Sequence, residues 1–177
     1  MDLPAGRYSL GPDDGALSVR TGRTGAAAKA GHDLVIDVTA WEATLAVAEE
    51  SSVTLTADPT SLRVREGSGG MQSLGDDDKA NIEQTIGDEV LHGEAIAFRS
   101  TAVRLTGGGF QVDGELTLAG ATRPLSFALH VADGRLSATA VVTQTDFRIK
   151  PYSTLFGALK VADDVTVELD AGLPQSR

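Results

Sequence analysis

The sequence predicts an all-β chain: one antiparallel barrel of about eight strands, with a single short helix inserted between strands. Three observations carry this reading. Residues 98–131 split into three apolar/polar alternating segments joined by two tight connections. In the middle segment Phe110, Val112, Leu116 and Leu118 alternate with Gln111, Asp113, Glu115 and Thr117; in the next, Leu125, Phe127, Leu129 and Val131 alternate with Ser126, Ala128 and His130. A period of two gives each strand one buried and one wet face, as an antiparallel sheet over a core requires. Finally, turn chemistry punctuates the alternation at Gly107-Gly108-Gly109 and Asp133-Gly134, where positive φ costs little.

The remaining elements follow in order. Residues 6–10 are a first short strand, and Pro12-Asp13-Asp14-Gly15 is a turn in which proline fixes φ and Asp-Gly accepts the bend. A second strand covers residues 16–20. Residues 21–31, rich in Gly, Ala and Thr and carrying Arg23 and Lys29, are either a loop or a strand of small side chains. Residues 34–38 and 41–47 are expected to form the next pair, with Trp41, Ala43, Leu45 and Val47 on one face. Strands at 52–57 and 62–65 lead into a Gly/Ser-rich stretch.

Asp76-Asp77-Asp78 then precede a helix over residues 77–86, because carboxylates favour the positive end of the helix dipole. Ile82 and Ile86 give that helix one apolar edge, and Gly87 is its expected stop. A strand over residues 136–145 presents Ala138, Ala140 and Val142 on one face, and Val165, Val167 and Leu169 alternate in a last strand. No repeat and no linker divides residues 1–177, so a single domain is expected.

Composition removes several function classes. The formal net charge of −10 argues against nucleic acid, whose phosphates need a basic surface. No apolar run reaches the ~20 residues of a membrane span, so stable membrane insertion is not expected. The start, MDLPAGRYSL, lacks a basic and an apolar signal region, which makes the cytoplasm the expected location. There is no cysteine, hence no thiolate ligand or nucleophile. His32, His92 and His130 have no metal-ligand spacing, and no cofactor motif is present. Asp76-Asp77-Asp78 lack the alternate ligand positions of a calcium loop and read as a helix cap. Pairing of strand edges between copies would give a homodimer, which the sequence leaves open.

Phe98-Arg99-Ser100-Thr101, then GELTLAGATRP over residues 114–124, then Thr145-Asp146-Phe147 occur in the order F-x-S-T, G-x-L-T-x-x-G-x-T-x-P, S/T-D-F. In this the chain resembles the YceI family. The resemblance implies a lipocalin-like barrel with a long apolar cavity, and carriage of polyisoprenoids, quinone-like lipids or long-chain fatty amides. The matching motifs lie from Ala95 onward. The family's D-x-x-H-S is replaced by residues 12–16, and its R-D-x-H-L helix by residues 76–82 without a histidine.

Aromatics make up only 5% of the chain, so few bulky plugs are available to fill a barrel. The expected inward set is Trp41 and Leu45, then Phe98, then Phe110, Val112, Leu116 and Leu118. Leu125, Phe127 and Leu129 follow, then Val142, Phe147, Tyr152 and Phe156. These residues would line a cavity for a long-chain hydrophobic molecule such as an isoprenoid, a quinone-like lipid or a fatty acid or amide; equally, they would pack a solid core. His32 beside Asp33 is a headgroup ligand or an acid/base pair, or else a strand-start histidine held by its neighbour. Arg148 and Lys150 are further headgroup candidates. The leading expectation is therefore non-catalytic lipid binding, without catalytic residues. An enzyme using His32 and Asp33, and a packed, stress-related interaction module, are the other two readings.

Overall fold

The computed structural model describes residues 3–154 and 159–174, and alternation places its strands much as the sequence implies. They are β1 (Gly6–Leu10), β2 (Gly15–Arg20), β3 (Arg23–Thr24), β4 (Asp33–Val38), β5 (Trp41–Val47), β6 (Ser52–Ala57) and β7 (Leu62–Ser68). After the helix α1 (Asp76–Thr85) come β8 (Ile96–Thr106), β9 (Gly109–Leu118), β10 (Ala121–Ala132), β11 (Arg135–Thr143), β12 (Ser153–Thr154), β13 (Leu159–Val161) and β14 (Asp164–Gly172). Eleven strands form one antiparallel sheet in the order β1-β5-β6-β8-β9-β10-β11-β14-β2-β4-β7, and β12-β13-β3 form a small second one.

The count of eleven, against about eight expected, has a simple cause. β1 continues into β2, β4 into β5 and β6 into β7, each through a short bend, and the bent halves pair in step. Leu10 faces Ala43 and Leu17 faces Val38 along one ladder; Trp41 faces Ala57 and Val38 faces Leu62 along the next. Joining these three pairs turns eleven strands into eight. Residues 34–38 and 41–47, expected to pair with each other, are thus two halves of one bent strand: β4 pairs with β2 and β7, β5 with β1 and β6. Because β14 pairs with β2 while β6 pairs with β8, covalent continuity across the bends closes the ladder into a ring. The fold is a lipocalin-like barrel of mostly antiparallel strands.

Backbone and side-chain hydrogen bonds together satisfy the bend. Thr39 N–H donates to Ser61 O at 3.0 Å, and the Thr60 N–H and hydroxyl donate to Asp58 Oδ1 at 2.8 and 2.7 Å. Charges sit on the outer face as cross-strand pairs, including Arg104–Asp113 at 2.7 Å and Arg135–Asp170 at 2.6 Å. Such exposed pairs add little stability. Ser126 and Arg104, both donating to Asp113, hold its carboxyl below the usual range.

The three long connections, residues 21–32, 69–95 and 144–163, all leave the same end of the barrel, as does the 119–120 turn. The 107–108 and 133–134 turns mark the opposite end. Asp133 and Gly134, at φ 50° and 72°, make the two-residue hairpin expected of Asp-Gly.

The helix starts one residue earlier than expected, with Asp78 Oδ2 accepting from Gly75 N–H at 3.0 Å. Gly87 does not stop it. The chain instead widens into a π turn over Ile86–Val90, closed by Leu91 N–H donating to Ile86 O at 2.9 Å. Glu83 Oε1 accepts from Val64 N–H at 2.9 Å, so α1 supplies an acceptor that edge strand β7 would otherwise lack. Among the described residues no helix is long and apolar enough to cross a membrane.

The Thr60 donors hold the Asp58 carboxyl below its ordinary value. Its folded pKa is therefore below its unfolded one, and its stabilisation is complete above the unfolded value and disappears as pH falls through the folded one. Asp58→Ala should lower the urea midpoint at neutral pH, and the gap to wild type should shrink below about pH 4. A gap that stays constant down the titration would remove the carboxylate from this account.

Candidate ligand cavity

The barrel encloses a cavity of about 580 Å³, within the 300–1,000 Å³ range typical of small-molecule pockets. Inward positions of the ring line it: Leu17 and Val19 from β2, Leu34 and Ile36 from β4, Ala43 and Leu45 from β5. Small residues on the β11 wall, Ala138 and Ala140, leave the width that bulkier ones would fill. Val165, Val167 and Leu169 complete the adjacent wall, while Ile82 of α1 and Ile86 of the π turn bring an apolar edge into it.

The sequence-expected residues divide into groups. Leu45, Phe98, Leu116, Leu118 and Leu125 line the cavity, together with Phe127, Leu129, Val142 and Tyr152. Trp41, Phe110, Val112 and Phe147 are buried but do not reach it. Trp41 fills the interior at the bend, and Phe110 and Val112 pack the β9 half next to the 107–108 turn. Phe147 lies in a 3₁₀ turn packed toward β10. Arg148 and Lys150 point to solvent, with Ile149 between them taking the inward position, so neither reaches a ligand inside. Phe156 lies outside the described residues.

The three sequence motifs prove to be packing devices. Phe98 projects inward, its ring centroid 5.2 Å from that of Phe127. Ser100 Oγ accepts from Val53 N–H at 2.9 Å, and the Thr101 hydroxyl donates to Asp113 O at 3.2 Å, so both stabilise the register slip between Ser100 and Ala102. Gly114 stands opposite because a Cβ there would lie 2.5 Å from the Phe98 ring and 2.4 Å from Arg99 O. Thr117 and Thr122 bond through their hydroxyls at 2.8 Å across the next turn. Thr145 donates through N–H and hydroxyl to Asp163 at 2.9 and 2.6 Å, anchoring the 144–147 turn to the start of β14.

Residues 18–173 match the YceI-like domain. The chain belongs to this family. The match extends well before Ala95, into the half where the family's expected N-terminal motifs are absent. The fold is similar to the crystal structure of Burkholderia cenocepacia BcnA, at TM-score 0.55 and 17% identity, covering 87% of this chain and 94% of that one. It is also similar to the Campylobacter jejuni YCEI protein, at 0.54 and 11%, covering 80% and 85%. A mutant YCEI protein with a monobromobimane guest gives 0.57 and 9%, with the same coverage. No curated protein sequence matches the chain.

The mouth of this YceI-like barrel is built where the long connections meet. Arg23, His32, Asn81, Gln144, Tyr152 and Lys160 line it. Gln144 is buried, and its side-chain amide donates to Ala162 O at 3.0 Å. His32 Nε2 lies within hydrogen-bond reach of Gln72 O, and Asp33 faces Arg23 Nε at 3.5 Å. Gly69 and Gly70, at φ 78° and 74°, approach so closely that a Cβ would lie 2.3 Å from Arg23 Nη2 and 2.5 Å from His32 Nε2. Sequence reasoning named His32 but not Arg23, Gln144 or Lys160. Their only signal is placement on connections leaving the same barrel end, which needs the strand order.

Gly114→Ala should destabilise the fold by about 1–3 kcal/mol, the usual cost of overpacking, measured by urea unfolding. An unchanged midpoint would show that the Phe98 ring is not confined as described.

Proposed function

We propose that this chain binds a long, slender hydrophobic molecule inside its barrel and carries it without chemical change. The observation that carries the proposal is the 580 Å³ interior, walled mainly by aliphatic and aromatic side chains, with its charged groups, Arg23 and Lys160, on the connections at the mouth. Burial of a tail there yields ~0.8 kcal/mol per methylene, which over a chain of many carbons outweighs the cost of immobilising the ligand. Membership of the YceI-like family supports the same class of ligand: isoprenoid, quinone-like lipid, or fatty acid or amide. The non-catalytic part rests on how His32 and Asp33 are engaged. One faces the Gln72 carbonyl and the other the Arg23 guanidinium, an arrangement that favours holding loops over moving protons.

Native mass spectrometry of freshly purified protein, with organic extraction of whatever is released, should find one lipid per chain. In titrations of saturated acyl probes, affinity should rise about fourfold per added methylene until the interior is full. Ala140→Trp, which fills the β11 wall, should weaken the long probes by at least about tenfold and spare the short ones. If prenyl, quinone and acyl probes all failed to bind a folded, delipidated sample, the carrier reading would be abandoned for the surface-interaction one.

A further inference from the structure

We infer that the cavity selects an amphiphile with an anionic oxygen head, a long-chain carboxylate in the simplest case, and that Arg23 is the residue that holds this head at the mouth. The inference deepens the carrier reading and rests on it. It comes from how charge is sorted. The chain has 25 Asp and Glu against 15 Lys and Arg, yet among the described residues no carboxylate lines the cavity. The charged groups that do line it are Arg23 and Lys160. Random placement on so acidic a protein would favour carboxylates instead.

Arg23 is placed by structure rather than left on a flexible stem. Its strand β3 pairs with β13, Arg23 facing Val161, which fixes its backbone across the mouth. The guanidinium donates to Gly31 O, and its Nε lies 3.5 Å from Asp33 Oδ1. Gly69 packs over it without a side chain of its own, as Gly70 does over the neighbouring His32. A guanidinium has five N–H donors in a planar fork, so these contacts orient the group while leaving donors toward the interior. The Arg23 side chain is 24% exposed and that of Asp33 46%. The cation is thus on the dry side of the pair and the carboxylate on the wet side, which leaves the positive end to meet a ligand. Lys160 adds a second positive charge at the rim. A quaternary ammonium head would meet these two cations and no carboxylate on the cavity wall.

The test uses the delipidated full chain with cis-parinaric acid and its methyl ester, which share a tail and differ in head, at a pH where the acid is ionised. The acid should bind about tenfold tighter than the ester, the yield of one charge-assisted hydrogen bond, and added salt should narrow the gap. Arg23→Gln should remove the preference and leave ester affinity within about threefold, the ester serving as the control for folding. Should Arg23→Gln lose the ester too, Lys160→Gln at the exposed rim carries the test, with the preference falling by about threefold. Equal binding of acid and ester by wild type, or a preference unmoved by these substitutions, overturns the headgroup assignment and leaves the carrier reading intact. Failure of both probes to bind overturns the two together.

Discussion

Closure of the ladder is the constraint on which the rest depends. An antiparallel sheet with two open edges exposes rows of unpaired N–H and C=O groups, and a ring removes them. Here the ring is completed by three strands that bend and keep pairing on both sides of the bend, instead of by a final straight ladder. The bend has a consequence. Beyond it β7 no longer pairs with β8, and the helix lies against β7 with Glu83 accepting from Val64 N–H. A helix wall is thereby spliced into a strand barrel, and Ile82 and Ile86 become part of the cavity. The apolar edge of α1 is narrow because only that stripe meets the interior; Asp76, Asp77 and Asp78 remain in water at its N-terminal turn.

Ring closure also decides where polarity can go. Inside the ladder every inward position is flanked by backbone already committed to pairing, so a polar side chain there would have few partners and would be costly to bury. At the end where three long connections leave, carbonyls outside the ladder are available. Ala162 O takes the Gln144 amide, Gly31 O takes Arg23, and Gln72 O faces His32. The polar rim follows from the topology: it is the place where buried donors find acceptors.

This explains which parts were legible in the sequence. Alternation is local, so the inward faces of β9, β10, β11 and β14 could be read from residues such as Leu116, Leu125, Val142 and Val165. The bend could not be read, because Thr39, Ala40 and residues 58–61 look like any turn; only long-range pairing reveals one bent strand in place of a hairpin. Depth was equally hidden. Trp41 shares a face with Leu45, yet it sits at the bend and packs, whereas Leu45 lines the cavity. Arg148 and Lys150 read from the sequence as headgroup candidates, but Arg148 takes a left-handed conformation at φ 60°, and the turn sends both side chains outward around Ile149. Arg23 had the weaker local signal, a lone arginine in a Gly/Ala-rich loop, and its role depends on β13, which lies more than a hundred residues away in sequence.

Net charge illustrates the same separation between what is global and what is local. A value of −10 describes the field far from the protein and its solubility. At physiological salt that field is screened within about 8 Å, and a ligand head at the mouth responds to the groups within that radius. Those on the cavity wall among the described residues are Arg23, with Asp33 on its wet side, and Lys160, while outer carboxylates such as Asp37, Asp113 and Asp170 face Arg65, Arg104 and Arg135 on their own face. An acidic protein can thus present a cationic entrance, and total charge is a poor guide to the sign of what it binds. The strand order decides it, by choosing which of the chain's charges share a rim.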